Sequence, residues 1–142
     1  MSGDHSITTN YNKDILTLEL GLKQFSNTTV FTKHNFFVLS PSVQNSAFWF
    51  DLRKVNLDRF NTRTQRGYLL IRYFEKFLIV DLADFMDRMI DKERYVETSN
   101  SGVHWKFNIQ KNTNNYIIIN RSTKRSFDVK EIETEELKKL FI

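Results

Sequence analysis

The chain has 142 residues, 40% of them apolar, with one proline, four glycines and no cysteine, which suits one hydrophobic core and excludes a linker-rich or low-complexity chain. The missing cysteines exclude disulfides, thiol nucleophiles and thiolate zinc sites, and fit a reducing, cytoplasmic setting. Net charge is +4 and mostly local: from Arg53 to Arg72 there are six basic residues and one acid, Asp58, leaving the rest of the chain at −1.

Residues 1–10 are polar and read as a frayed, flexible tail rather than a signal peptide, and no run of about 18 apolar residues marks a membrane span. The domain is expected over 11–142, without an internal boundary or repeat. A first helix is predicted over 11–25, with Tyr11, Ile15, Leu18, Leu22 and Phe25 near one face and Leu16 and Leu20 off it. The period then changes: 29–33 and 36–40 are β-branched and aromatic around a His34–Asn35 turn. After a polar loop, 47–52 alternates, with Phe48, Phe50 and Leu52 on one face and Trp49 and Asp51 on the other.

Residues 55–60 suit a short helix or an extended stretch, and 61–67 a basic loop. Strands follow at 68–74 and 77–82, joined at Glu75–Lys76. A helix over 83–92 turns Leu82, Phe85, Met86, Met89 and Ile90 inward and a row of acids toward solvent. Residues 97–102 read as a loop, and 104–110 as a strand with Trp105, Phe107 and Ile109 on one face and His104, Lys106, Asn108 and Gln110 on the other. That pattern implies a sheet with one solvated side. A strand over 116–120 and a helix over 134–141 complete the order. Strands broken by separate helices give an α+β class: a mostly antiparallel twisted sheet of about five to seven strands, with N-terminal, central and C-terminal helices.

Several chemistries lack their residues. The four glycines are scattered, so there is no phosphate-binding loop. His5, His34 and His104 are isolated, without a zinc-binding pair, and no nucleophile elbow is present. No catalytic residue, metal or cofactor is expected. Binding features are stronger. Trp49 stands beside Arg53 and Lys54, and Arg59, Arg63, Arg66 and Arg72 continue the basic window. Arg121, Lys124 and Arg125 form a second basic group in a loop. Arginines grip phosphates and aromatic rings stack bases, so Trp49, Arg53, Lys54, Arg59, Arg63, Arg66, Arg72, Lys124 and Arg125 are the candidate nucleic-acid contacts.

The strand patterns in 48–52, 68–71 and 77–82, with the Arg-Lys-Val-Asn-Leu run after Leu52, resemble the half of the PD-(D/E)xK nuclease fold that follows its catalytic lysine. The resemblance would put Glu19 in the first helix's acid position. The family's acid-x-lysine is absent from Phe36-Phe37-Val38-Leu39-Ser40, so the resemblance implies a binding relative without nuclease activity. Three functions follow in order of expectation. The first is a nucleic-acid-binding domain. The second is a protein-interaction module, a small inhibitor or adaptor meeting an acidic partner, with homodimerisation through a sheet edge as a variant. The third is a metal-dependent nuclease using Glu19, Asp51 or Asp81.

Overall fold

The computed structural model describes residues 11–142, and the tail expected over 1–10 lies outside them. The described residues form an α+β structure with one eleven-stranded mixed sheet. The strands are β1 (Lys23–Gln24), β2 (Val30–Lys33), β3 (Phe36–Leu39), β4 (Ser42–Val43), β5 (Trp49–Arg53), β6 (Arg66–Tyr73), β7 (Lys76–Asp81), β8 (Val96–Thr98), β9 (Gly102–Lys111), β10 (Tyr116–Asn120) and β11 (Ser126–Ile132). The α-helices are α1 (Lys54–Leu57), α2 (Leu82–Met89) and α3 (Thr134–Leu140). The sheet runs β1-β2-β3-β6-β7-β11-β10-β9-β5, with β4 added to β6 and β8 to β9.

The expected five to seven antiparallel strands are therefore too few, and the sheet is partly parallel, since β3 and β4 both pair parallel with β6. The excess comes from strands of two or three residues (β1, β4, β8), whose alternation is too short to read, and from β11. In β11 Phe127 and Val129 alternate with charged neighbours, a strand that the expected elements, passing from 120 to 134, do not include. The parallel pairing arises because the chain leaves β3, makes β4, β5 and α1, and re-enters beside β3.

The N-terminal helix is also shorter than expected. Residues 11–14 are α-helical and run into a π-helical turn, Ile15–Glu19. The Leu20 amide donates to the Ile15 carbonyl, five residues back, at 2.9 Å. This wider turn shifts the phase, so Ile15, Leu16, Leu20 and Leu22 are buried while Tyr11, Leu18 and Phe25 are exposed. Gly21, at φ +70°, turns the chain out of the helix, and β1 occupies what was read as its last turn.

Alternation places two apolar clusters on opposite faces of the same strands. Phe37, Leu39, Leu69, Ile71, Leu78 and Val80 face the larger core, which α2 enters through Leu82, Phe85 and Met89. Val38, Leu70, Phe77 and Ile79 face the smaller core, with Ile15, Leu16 and Leu20 of the N-terminal segment and Leu137 of α3. Burying each such side chain stabilises the fold by about 1.5–3 kcal/mol. The starts of α2 and α3 are capped: the Asp81 carboxylate accepts from the Asp84 amide at 2.9 Å, and Glu133 and Glu136 form a capping box on α3.

The sheet curls so that its last strand, β5, returns beside β4. Phe48, just before β5, lies 6.3 Å from the Tyr73 ring and 5.8 Å from the Phe74 ring at the end of β6. Its φ of +54° takes it off the Phe50–Leu52 face on which the alternation had put it. Beyond β11 the outer face of the sheet is solvated, as the pattern in β9 implied: Lys106, Asn108 and Gln110 reach outward beside Trp49, Asp51 and Arg53 of β5. His104 departs from that pattern, being buried with Nδ1 2.9 Å from the Gly102 carbonyl.

Candidate nucleic-acid interface

A cleft of about 480 Å³ opens where the curled sheet brings β5 near the ends of β2 and β3. One wall carries Trp49, Asp51 and Arg53 from β5, then Asn56 and Arg59 from α1 and the turn after it. The other carries Asn27 and Thr28, with Ser42 and Asn45 at the floor.

The local sequence explains these placements. β5 alternates Phe50 and Leu52 inward against Phe107 and Trp105, which leaves Trp49, Asp51 and Arg53 outward. The Phe50 and Phe107 rings stack at 5.3 Å and fix the strand. The short helix α1 buries Leu57 and turns Val55, Asn56 and Arg59 toward the cleft. Its other side carries Lys54, which pairs with Asp58 at 2.6 Å over a separate, mainly apolar groove. Phe60 anchors the next turn by stacking on Phe37 at 5.2 Å.

The Trp49 ring is half-buried, with Lys106 Nζ over it at 5.4 Å. The Arg59 guanidinium lies over Phe25 at 3.9 Å, a cation–π contact that holds it at the cleft rim. Among the described residues the ion pairs all use lysine: Lys54–Asp58, Lys76–Glu131, and Lys138 with Glu19 and Glu135. No arginine is ion-paired there, so Arg53 and Arg59 offer their full donor sets. The floor also has an open hydrogen-bonding group, Ser42 Oγ, buried without a partner, and Asn56, 8% exposed, lines the cleft beside it. Such groups are satisfied by water or by a polar ligand.

The edge of β5 is distinctive. The Ile109 amide donates to the Phe48 carbonyl at 2.8 Å, which sets the hydrogen-bonding phase of the β5–β9 pair. Phe50 and Leu52 therefore bond to β9, and the backbone groups of Trp49, Asp51 and Arg53 point to the free edge. The Asn45 side chain occupies those of Trp49, donating to its carbonyl at 3.1 Å and accepting from its amide at 3.3 Å.

Of the expected contacts, Trp49, Arg53 and Arg59 share the cleft. Lys54 lies on the far side of α1. Arg63 and Arg66 are exposed on the neighbouring loop and at the start of β6, and neither lines the cleft. Arg72 is not on the surface: it is 7% exposed, its Nη2 donates to the Ser40 carbonyl at 2.7 Å, and burial pushes its pKa down to about 10. Its position in β6 alternates with residues of the smaller core only at one end, so the strand pattern did not reveal this. Lys124 and Arg125 sit in the β10–β11 loop, where Arg125 reaches the Arg88 carbonyl of α2 at 3.4 Å. Sequence reasoning missed Phe25, set on a buried helix face, and Lys106, whose outward position in β9 was read but not connected to Trp49.

Glu19, Asp51 and Asp81 do not converge: Glu19 pairs with Lys138 at 3.3 Å, Asp81 caps α2, and Asp51 lines the cleft. Among the described residues no cluster of three metal-ligating side chains forms. No protein-family model, curated protein or solved structure matches the chain.

Proposed function

We propose that this protein binds nucleic acid without acting on it chemically, through the cleft between β5 and the β2–β3 end of the sheet. The observation that carries the reading is that half-buried Trp49 shares that cleft with Arg53 and Arg59, neither paired to a carboxylate. Arginine forks hold phosphate oxygens at short range, and an indole face stacks a base of any identity. The set is smaller than the basic window suggested, because Lys54 is paired, Arg72 is buried, and Lys124 and Arg125 lie on another loop. The likeness to the PD-(D/E)xK fold stays part of the proposal in its binding-only form. A nuclease reading is disfavoured by the separation of Glu19, Asp51 and Asp81.

Fluorescence anisotropy with DNA and RNA at rising salt tests the proposal. The wild-type protein is expected to lose affinity along a linear log–log salt plot. Replacing Arg53 and Arg59 by Ala should weaken binding at low salt and reduce the slope by about 2, one per phosphate contact. The melting temperature should stay close to wild type, since both side chains are exposed. Unchanged affinity in that double variant removes the assignment.

A second reading rests on the free edge of β5 at Asp51, since the Asn45 side chain fills the Trp49 groups and the Arg53 carbonyl starts α1. That edge is a template for an added strand, which suits a protein-interaction module or a dimer made edge to edge. That reading expects binding or self-association that salt scarcely changes, measured by sedimentation.

A further inference from the structure

The main cleft continues into a second one, of about 430 Å³, on the other side of Arg59. Arg59 lines both, and the second is also walled by Lys23, Gln24, Phe25, Thr32 and Gln65. Phe25 is 44% exposed although one face of its ring carries the Arg59 guanidinium. Two cation–aromatic pairs thus flank the clefts that meet at Arg59: Lys106 on Trp49 beside Arg53 in the first, and Arg59 on Phe25 with Lys23 in the second.

We infer that this is a track for single-stranded nucleic acid, with one base against Trp49, another against Phe25, and Arg59 on the phosphate between them. The inference rests on the nucleic-acid reading and narrows it. Two features select a single strand over a duplex. Stacking on Trp49 and Phe25 requires unpaired bases with free faces, which a duplex hides in its stack. A major-groove reader places a helix or ribbon in the groove, and none of the cleft's cations comes from a helix of that kind. Arg59 follows a four-residue helix, and the solvent face of α2 is lined by Asp84 and Asp87. Ser42, with a buried Oγ that has no partner, and Asn56 line the first cleft and offer polar groups to a ligand there.

The test is anisotropy with a labelled single strand of about 12 thymidylates and a duplex of the same length, on the full chain and its variants. The expected result is tighter binding of the single strand, weakened about tenfold or more by Phe25→Ala and by Trp49→Ala. Phe25→Leu keeps bulk and apolarity, so it restores folding contacts but not stacking; it should bind as weakly as Phe25→Ala. Intrinsic fluorescence should be quenched by the single strand in the wild type and much less in Trp49→Phe, since the remaining indole, Trp105, is 5% exposed. Duplex binding that equals or exceeds single-strand binding, or full recovery with Phe25→Leu, overturns the track and leaves the broader reading standing. No binding of either nucleic acid at low salt overturns the reading on which the track rests.

Discussion

Arg72 and Arg53 belong to the same stretch of basic sequence and do opposite things. Arg53 is exposed beside Trp49, whereas Arg72 is enclosed with one hydrogen bond from Nη2 to Ser40 and a buried Nε that has no partner. Desolvation of a cation at this site is the cause of its lowered pKa. A positive charge held inside the sheet contributes little to the potential at the cleft. Arg72→Met should therefore leave nucleic-acid affinity within about twofold of wild type, while Arg53→Ala lowers it by several-fold or more; anisotropy on the two purified variants checks the contrast. The sequence displayed both residues as equal members of a charge run. What separates them is the parity of β6 and the loop that covers it, neither of which a count of arginines contains.

At the scale of elements, the turn that carries Arg59 depends on Phe60, and Phe60 depends on Gly67. A Cβ at Gly67 would come within 2.7 Å of Phe60 Cε1, so the ring lies directly on the glycine backbone. Gly67→Ala should push Phe60 off Phe37 and cost about 1–3 kcal/mol of stability, the usual penalty of overpacking, read as a lower midpoint in urea. The same displacement should weaken binding, because Arg59 is the preceding residue. Asn45 has a different element-scale role. Its amide fills the backbone groups of Trp49 and shortens the free edge of β5. Asn45→Ala reopens that edge, and sedimentation velocity should show more self-association at high protein concentration than in the wild type. Most strands of four or more residues were legible in the sequence, β11 excepted, as were α2 and α3 with their charged ends. The π-helical turn was not, nor the exit at Gly21, which ends the helix early and leaves Phe25 beyond β1 on the surface instead of on a core face. The two- and three-residue strands were equally silent, since pairing of that length is decided by neighbours distant in sequence.

Across the whole molecule, charge and apolar surface are organised by one sheet. The strands β3, β6 and β7 supply alternate residues to both cores, so the two cores share one wall. The net charge of +4 is not spread evenly over the outside. Lysines carry the ion pairs among the described residues, and no arginine there is ion-paired, whether in the cleft (Arg53, Arg59), on the neighbouring loop (Arg63) or inside β6 (Arg72). This division was not visible in the sequence, where Lys54 and Arg53 stand side by side. It follows from the four-residue helix after β5, which sends adjacent cations to opposite sides. No helix among the described residues is long and apolar enough to cross a membrane.

The curl of the sheet has a mechanical meaning. With β5 returned beside β4, the sheet is a nearly closed ring, and the cleft is the gap where it fails to join. The two lips of that gap are the last strand and the segments before β2 and after β3, while Phe48 packs on Tyr73 and Phe74 at the end of β6. A strand of nucleic acid or of peptide seated there touches both lips at once and acts as the missing stave. Occupancy is then linked to the integrity of the ring: at a hundred times its dissociation constant the ligand would add about 2.7 kcal/mol against unfolding. The proposed recognition surface and the gap in the ring are the same place.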